Sequence, residues 1–216
     1  KAENGSMNDI CGSWTELGQS SRSCARCSIA HLCLGAHCDK AELKTVDQWI
    51  KQQATVVPKT VIFNQDSAFT CCYVVKAGAV KTLHVNKRGD EKIHGFYLPG
   101  EVFGLEGILN GQNTCSAVAL ERSTLCKLEF NKLRALSSRI PALNDWLLKT
   151  LCRELNSAES LNRWLSYSTA EERVVGFLLN LSERQKLRNS HAYRFRLPMP
   201  RRDIANYLGL ALETVS

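Results

Sequence analysis

Three cysteines within ten residues, Cys24, Cys27 and Cys33, stand in a C-x2-C-x5-C pattern near the start of the chain. Sulfurs this close share one metal centre only if the backbone wraps around it, which leaves no room for a strand or helix between them. A fourth cysteine, Cys126, lies far along the chain, and thiolates placed in this way suit a single centre that clips an arm onto a folded domain. Zinc fingers usually bring two C-x2-C pairs, whereas one pair followed by a wider step is closer to iron–sulfur ligation. Zinc remains open on the residues alone, with Cys38 or His31 in place of Cys126.

The ten cysteines could form a disulfide framework, but 216 residues at 44% hydrophobic content can bury a proper core, and no apolar run reads as an export signal. Metal binding is therefore the better reading. No stretch approaches the roughly 18 consecutive apolar residues of a membrane span, so the protein is expected to be soluble and cytoplasmic, with no membrane partner. The formal charge of +7 favours a polyanionic partner. His31, His37, His84, His94 and His191 are scattered, and no Ser/His/Asp set, P-loop or H-E-x-x-H is present. The chain does not read as an enzyme.

Four segments follow from the pattern of residue types. Residues 1–39 are expected to be a disordered polar lead, in which Gly5-Ser6-Met7 looks like a vector joint ahead of a start codon, followed by the cysteine arm. Residues 40–138 begin with a helix over 40–53 whose face carries Leu43, Val46, Trp49 and Ile50. From about Thr55 to Phe130 come short runs rich in Val, Ile, Phe, Tyr and Thr broken by Gly, Asn and Asp, the pattern of an antiparallel β-roll or jelly roll. Residues 139–167 read as one long helix with Leu143, Leu147, Leu151 and Leu155 every four residues, then Ala158, Leu161 and Leu165. That stripe suits either the chain's own domain or a dimer seam.

Residues 168–216 open with Ser168 or Thr169 ahead of Glu171 and Glu172, a capping-box pattern. Counted from Arg201, a small residue (Ala205) stands at the fifth position and glycine (Gly209) at the ninth, with Ile204, Leu208, Leu210 and Val215 around them. This is the helix-turn-helix spacing: alanine lets the helices cross closely and glycine makes the turn. The last residue falls inside the expected recognition helix. Glu213 and Ser216 are candidates for base-edge contact, and Arg201 and Arg202 for phosphates. The whole is an α+β chain.

Taken together, the arm, roll, long helix and terminal motif resemble the fumarate and nitrate reduction regulators, the oxygen-sensing branch of the cyclic AMP receptor family. The resemblance runs over roughly residues 24–216 and rests on the cysteine spacing, K-R-G-D-E-K-I-H-G-F-Y-L-P-G-E, A-L-E-x-S-x-x-C, A-E-E-R and I-x-N-Y-L-G-L-x-x-E-T-V-S. It implies that Cys24, Cys27, Cys33 and Cys126 hold an oxygen-labile 4Fe-4S cluster and that the long helix pairs in a homodimer when the cluster is intact. It further implies that the dimer binds a TTGAT-like inverted repeat in promoter DNA through Arg201, Arg202, Glu213, Thr214 and Ser216, and that the exposed 86–90 turn, with Gly89 and Asp90, touches RNA polymerase. A guanine-reading arginine would follow Ser216.

The chain departs from the family in three places. Ala158 stands where the family has an acidic residue thought to oppose pairing, although Glu154 and Glu159 are nearby. Residues 63–66 lack the usual turn glycine. Cys71 and Cys72 are adjacent, and as strand residues one is expected to face the core and one to face out. A cyclic-nucleotide-binding regulator is disfavoured, because no arginine lies between Gly104 and Glu121 to hold a phosphate. Cys11, Cys38, Cys115 and Cys152 are not expected to be ligands.

Overall fold

The computed structural model describes residues 23–50, 52–188 and 194–216. The lead up to residue 22, including Cys11, the side chains of Trp49 and Ile50, and His191 lie outside the described residues.

The arm consists of three short 3-10 turns, Cys24–Arg26, Ala30–Leu32 and Leu34–Ala36. Helix α1 (Lys40–Ile50) follows. Its start is fixed by a reciprocal cap: the Ala41 and Glu42 N–H groups donate to the Asp39 carboxylate at 2.8 Å, and the Asp39 N–H donates back to Glu42 at 2.8 Å. The helix is shorter than the residue pattern suggests, because strand β1 (Gln52–Val56) begins two residues after it ends.

Seven further strands complete the roll: β2 (Val61–Phe63), β3 (Cys71–Ala77), β4 (Val80–Val85), β5 (Glu91–Tyr97), β6 (Val102–Phe103), β7 (Ser116–Ala119) and β8 (Ser123–Glu129). They form two antiparallel four-stranded sheets, ordered β1-β8-β3-β6 and β2-β7-β4-β5. Between the sheets lies a core of Ile62, Phe63, Tyr73, Val75, Phe103 and Leu125, in which the rings of Phe63, Tyr73 and Phe103 stack at 5.4–6.2 Å.

Both sheets are also covered on their outer faces. Cys72, Val74, Val102 and Leu128 of the first sheet pack against the arm and helices. Leu83, Ile93 and Phe96 of the second pack against the C-terminal unit. This corrects the expectation for the cysteine pair. Cys71 lies in the inter-sheet core and Cys72, fully buried, lies under the arm, so neither faces solvent. A covered sheet buries both faces of a strand, which alternation alone does not reveal.

Phe130 begins helix α2 (Phe130–Ser137) instead of ending a strand. Helix α3 (Pro141–Tyr167) opens with proline in its first turn, where a missing N–H costs nothing. Helix α4 (Ala170–Leu187) carries the expected capping box, with Thr169 and Glu172 bonded reciprocally. Helices α5 (Arg201–Leu208) and α6 (Leu212–Val215) are joined through Gly209, whose φ of +63° is the left-handed cap that glycine adopts readily. At the turn that lacks its glycine, Asp66 itself takes φ +63°, a conformation that aspartate tolerates better than most residues. Among the described residues no helix is long and apolar enough to cross a membrane.

Candidate metal centre and nucleic-acid interface

The arm is anchored by Ile29 and Leu34, buried against Leu43 and Val46 of α1 and Leu128 of β8. One carboxylate adds polar fixation: Asp47 on α1 accepts from the Cys24 N–H at 2.8 Å and from the Ser23 hydroxyl. Leu32 rests on the backbone at Gly100, where φ is +93° and a Cβ would lie 2.6 Å from the Leu32 Cβ.

These contacts bring Cys24, Cys27 and Cys33 to the walls of one cavity of about 50 Å³, with Cys126 of β8 completing the set. Asp47 and Gln53 are the polar side chains in a lining otherwise made of sulfur and hydrocarbon, including Ile29, Val46, Val74 and Leu128. Burial pushes the Cys33 thiol up to about 12 and the Cys126 thiol up to about 11, the latter partly offset by Lys76 and a hydrogen bond from Gln53. Cys24 is raised as well, by burial and then by Asp47. Burial thus favours the protonated thiol at Cys24, Cys33 and Cys126, so loading a metal onto them must release protons. Among the described residues no three His, Cys, Asp or Glu side chains converge closely enough to hold a single metal ion. Four thiols around one apolar cavity are, by their chemistry, a donor set of the kind that iron–sulfur centres take.

Of the other cysteines, Cys38 and Cys115 are buried and Cys152 is exposed on α3. Cys115 donates to Glu106 at 2.8 Å inside the roll. Glu106 follows the Gly104 turn, where a nucleotide-binding member would need its carboxylate for ribose.

The stripe on α3 divides in two. Leu143 is fully buried and Leu147 partly buried, both against the chain's own core, beside Trp146 and Thr150. Leu143 therefore belongs to the fold and not to a free seam. Farther along, Leu151 and Leu155 are 37% and 61% exposed, Ala158 is exposed, and Leu161 and Leu165 are half-buried. Leu148, absent from the expected stripe, is 55% exposed on the same stretch. Glu154 turns inward, accepting from the Tyr97 hydroxyl at 3.0 Å, while Glu159 stays in solvent.

In the helix-turn-helix, Ile204, Ala205 and Leu208 are buried as the spacing requires. Arg201 and Arg202 are exposed at the start of α5, and Glu213, Thr214 and Ser216 are exposed in and after α6. Arg173, from the A-E-E-R block, ties the unit together by donating to the carbonyls of Leu165, Ser168 and Leu208. The unit is pinned to the roll by Glu101, which accepts from Arg184 at 2.5 Å and from Arg188, and by the Lys81–Asp203 pair at 2.8 Å. Sequence reasoning did not single out Asp47 or Glu101, since a carboxylate's distant partners leave no periodic signal. In the 86–90 turn, Gly89 has φ +85° and the Asn86 side chain accepts from the Arg88 and Asp90 N–H groups; the exposed Asp90 carboxylate accepts from the Asn86 amide at 3.0 Å.

Comparison with known proteins agrees with this architecture. Residues 54–139 match the cyclic nucleotide-binding domain family and residues 172–216 match the Crp-like helix-turn-helix domain. The transcriptional activator protein Anr of Pseudomonas protegens is 38% identical over 193 residues, 89% of this chain and 79% of the relative. The fumarate and nitrate reduction regulatory protein of Salmonella typhi is 34% identical over 89% of this chain and 77% of the relative. Among solved structures, FixK2 from Bradyrhizobium japonicum superposes with a TM-score of 0.68 at 32% identity, covering 76% of this chain and 80% of that one. The chain thus belongs to the FNR/CRP family of transcription regulators, as a DNA-binding transcriptional activator and not an enzyme.

Proposed function

We propose that the protein is an oxygen-responsive regulator in which Cys24, Cys27, Cys33 and Cys126 hold a 4Fe-4S cluster. The observation that carries this reading is that four sulfurs from two remote segments line one apolar cavity. When bound, such a cluster supplies an oxygen-labile cross-link between the arm and the roll. Asp47 orients the Cys24 end of the arm, and β8 holds Cys126 on the rigid sheet.

The intact state favours pairing along the exposed part of α3, where a few kcal/mol separates monomer from dimer. Leu151, Leu155, Ala158, Leu161 and Leu165 form that seam. The homodimer presents two helix-turn-helix units to a TTGAT-like inverted repeat, since one unit reads only a half-site. Arg201 and Arg202 hold phosphates, and Glu213, Thr214 and Ser216 face the bases. Gly89 and Asp90 form an exposed tip suited to contact RNA polymerase at cytoplasmic promoters. A nucleotide ligand is disfavoured because no arginine lies between Gly104 and Glu121 to pair with its phosphate.

Protein purified without oxygen tests the reading. It should be brown, absorb in the violet, and carry roughly four irons per chain. Cys126→Ala should lose both colour and iron, whereas Cys152→Ala should keep them. Full iron in Cys126→Ala, or a colourless protein holding zinc, would sink the assignment.

A further inference from the structure

Strand β5 is the outer strand of its sheet, so alternate backbone groups along its free side have no strand partner. On that side the Ile93 N–H donates to the Asn206 Oδ1 at 2.8 Å, and the Glu91 carbonyl accepts from the Asn206 Nδ2 at 2.8 Å. These two groups, two residues apart on one edge, are spaced to meet the N–H and C=O of a single residue on a parallel neighbour. The side-chain amide of Asn206 carries the same donor and acceptor and takes that residue's place.

The exchange also runs in the other direction. Asn206 and Tyr207 sit in the last turn of α5, where the Asn206 carbonyl accepts from the capping Gly209 N–H at 3.3 Å and keeps a second lone pair free. Lys92 of β5 reaches across with its Nζ 2.5 Å from the Asn206 carbonyl and 3.2 Å from that of Tyr207, setting positive charge at the negative end of the helix. One turn back, Asp203 pairs with Lys81 of β4, both side chains more than four-fifths buried. Asp203 and Asn206 are partly buried in this contact, while Arg201, Arg202, Glu213 and Thr214 remain exposed. The contact occupies the back of the helix-turn-helix and leaves its reading side open.

We propose that the free edge of β5 is a docking rail that sets the orientation of the helix-turn-helix on the roll, with Asn206 as its positioning residue. In the homodimer proposed above, this orientation fixes the separation of the two half-sites that can be read together. An inhibitory clamp would predict the opposite sign, because releasing it would strengthen DNA binding.

Two measurements on the full-length protein test the proposal. In Asn206→Ala, backbone amide exchange at Ile93 should quicken by about tenfold, as expected for loss of roughly one to two net hydrogen bonds. Affinity for an inverted TTGAT-like repeat should also fall by a comparable factor at the preferred half-site spacing, with a smaller loss on repeats lengthened or shortened by one base pair, so that spacing selectivity narrows. Unchanged exchange at Ile93 overturns the docking. Equal losses at all spacings, or tighter binding, overturn the orienting role. If Asn206→Ala does not fold, Lys92→Met, which keeps the hydrocarbon stem and removes the bonds to the Asn206 and Tyr207 carbonyls, is read by the spacing series: unchanged spacing selectivity then overturns the proposal. The exchange measurement uses no DNA, so failure of the wild-type protein to bind the repeat would count against the operator and leave the docking decided by exchange.

Discussion

The two sheets of the roll are both covered through apolar contacts, but the polar bonds added to them differ. Over the first, the arm and helices are held by apolar and thiol side chains, with Asp47 as a polar tether to the backbone at Cys24. Over the second, the DNA-binding unit packs Phe177, Leu181 and Ile204 on Leu83, Ile93 and Phe96, and adds ion pairs at Glu101 and Asp203 and the reciprocal bonds of Asn206 and Lys92. A cover made of short turns with few directional bonds needs a further cross-link to be firm, and four thiols stand where one would go. The second cover already has its cross-links in side-chain charge. On the proposed function the first attachment is the regulated one, and the two are distinguishable by chemistry, on opposite faces of one scaffold.

Breaking the second cover alone gives the largest expected effect. Glu101→Gln leaves the Arg184 and Arg188 guanidiniums without their carboxylate. The cost should be about 2–3 kcal/mol, less than for a fully buried pair because some solvent reaches the site, or roughly 5–10 °C in Tm. Iron content after anaerobic purification should not change; its loss would show that the two covers are not independent. Burial alone would raise the Glu101 carboxyl, but Arg184 and Arg188 hold it below the usual carboxylate range. The stability it contributes is therefore present above roughly pH 4.3 and is lost as the pH falls below that toward the lower folded value.

A smaller effect is expected at Glu154, on the helix that contributes Trp146 to the first cover and Trp164 to the second. Burial pushes its carboxyl up to about 7, with the Tyr97 hydrogen bond opposing. Since the folded state then holds the proton more tightly than the unfolded chain, stability should fall as pH rises from roughly 4.3 toward 7. Thermal melts across that range should show the decline in the wild-type protein and a flatter profile in Glu154→Gln. Parallel profiles would mean that the carboxyl titrates normally.

The smallest effect concerns the seam. With Ala158 exposed beside Leu155 and Glu154 turned into the roll, little charge opposes pairing at this point. Iron-free protein should dimerise at micromolar concentration, and Ala158→Asp should weaken the dimer by on the order of 1 kcal/mol by placing like charges across a close contact. Analytical ultracentrifugation decides this; a clean monomer of the iron-free protein at tens of micromolar would show that the first cover controls pairing without help from residue 158.

Local pattern made much of this architecture legible. The strand runs and the Ala205 and Gly209 spacing depend on neighbours a few residues away, and the structure contains the corresponding roll and helix-turn-helix. Leu143 and Leu155 share a four-residue spacing but opposite environments, because each such step drifts about 40° around a helix of 3.6 residues per turn, and what covers each position is decided by elements far along the chain. The same limit hid Cys72 beneath the arm and concealed the parts played by Glu101 and Asn206. The three arm cysteines could be grouped by their spacing alone, and the structure sets them with Cys126 around one cavity.

Gly100 and Glu101 place both attachments on one dipeptide: Leu32 of the arm sits on the first residue, and Arg184 and Arg188 grip the second. In terms of how such a chain can vary, the two positions form a single inherited unit. A side chain at 100 would lift the arm and strain a backbone held at φ +93°, and that displacement would reach the carboxylate beside it. Mutational drift on one face of the roll is therefore limited, at this corner, by what the other face will tolerate.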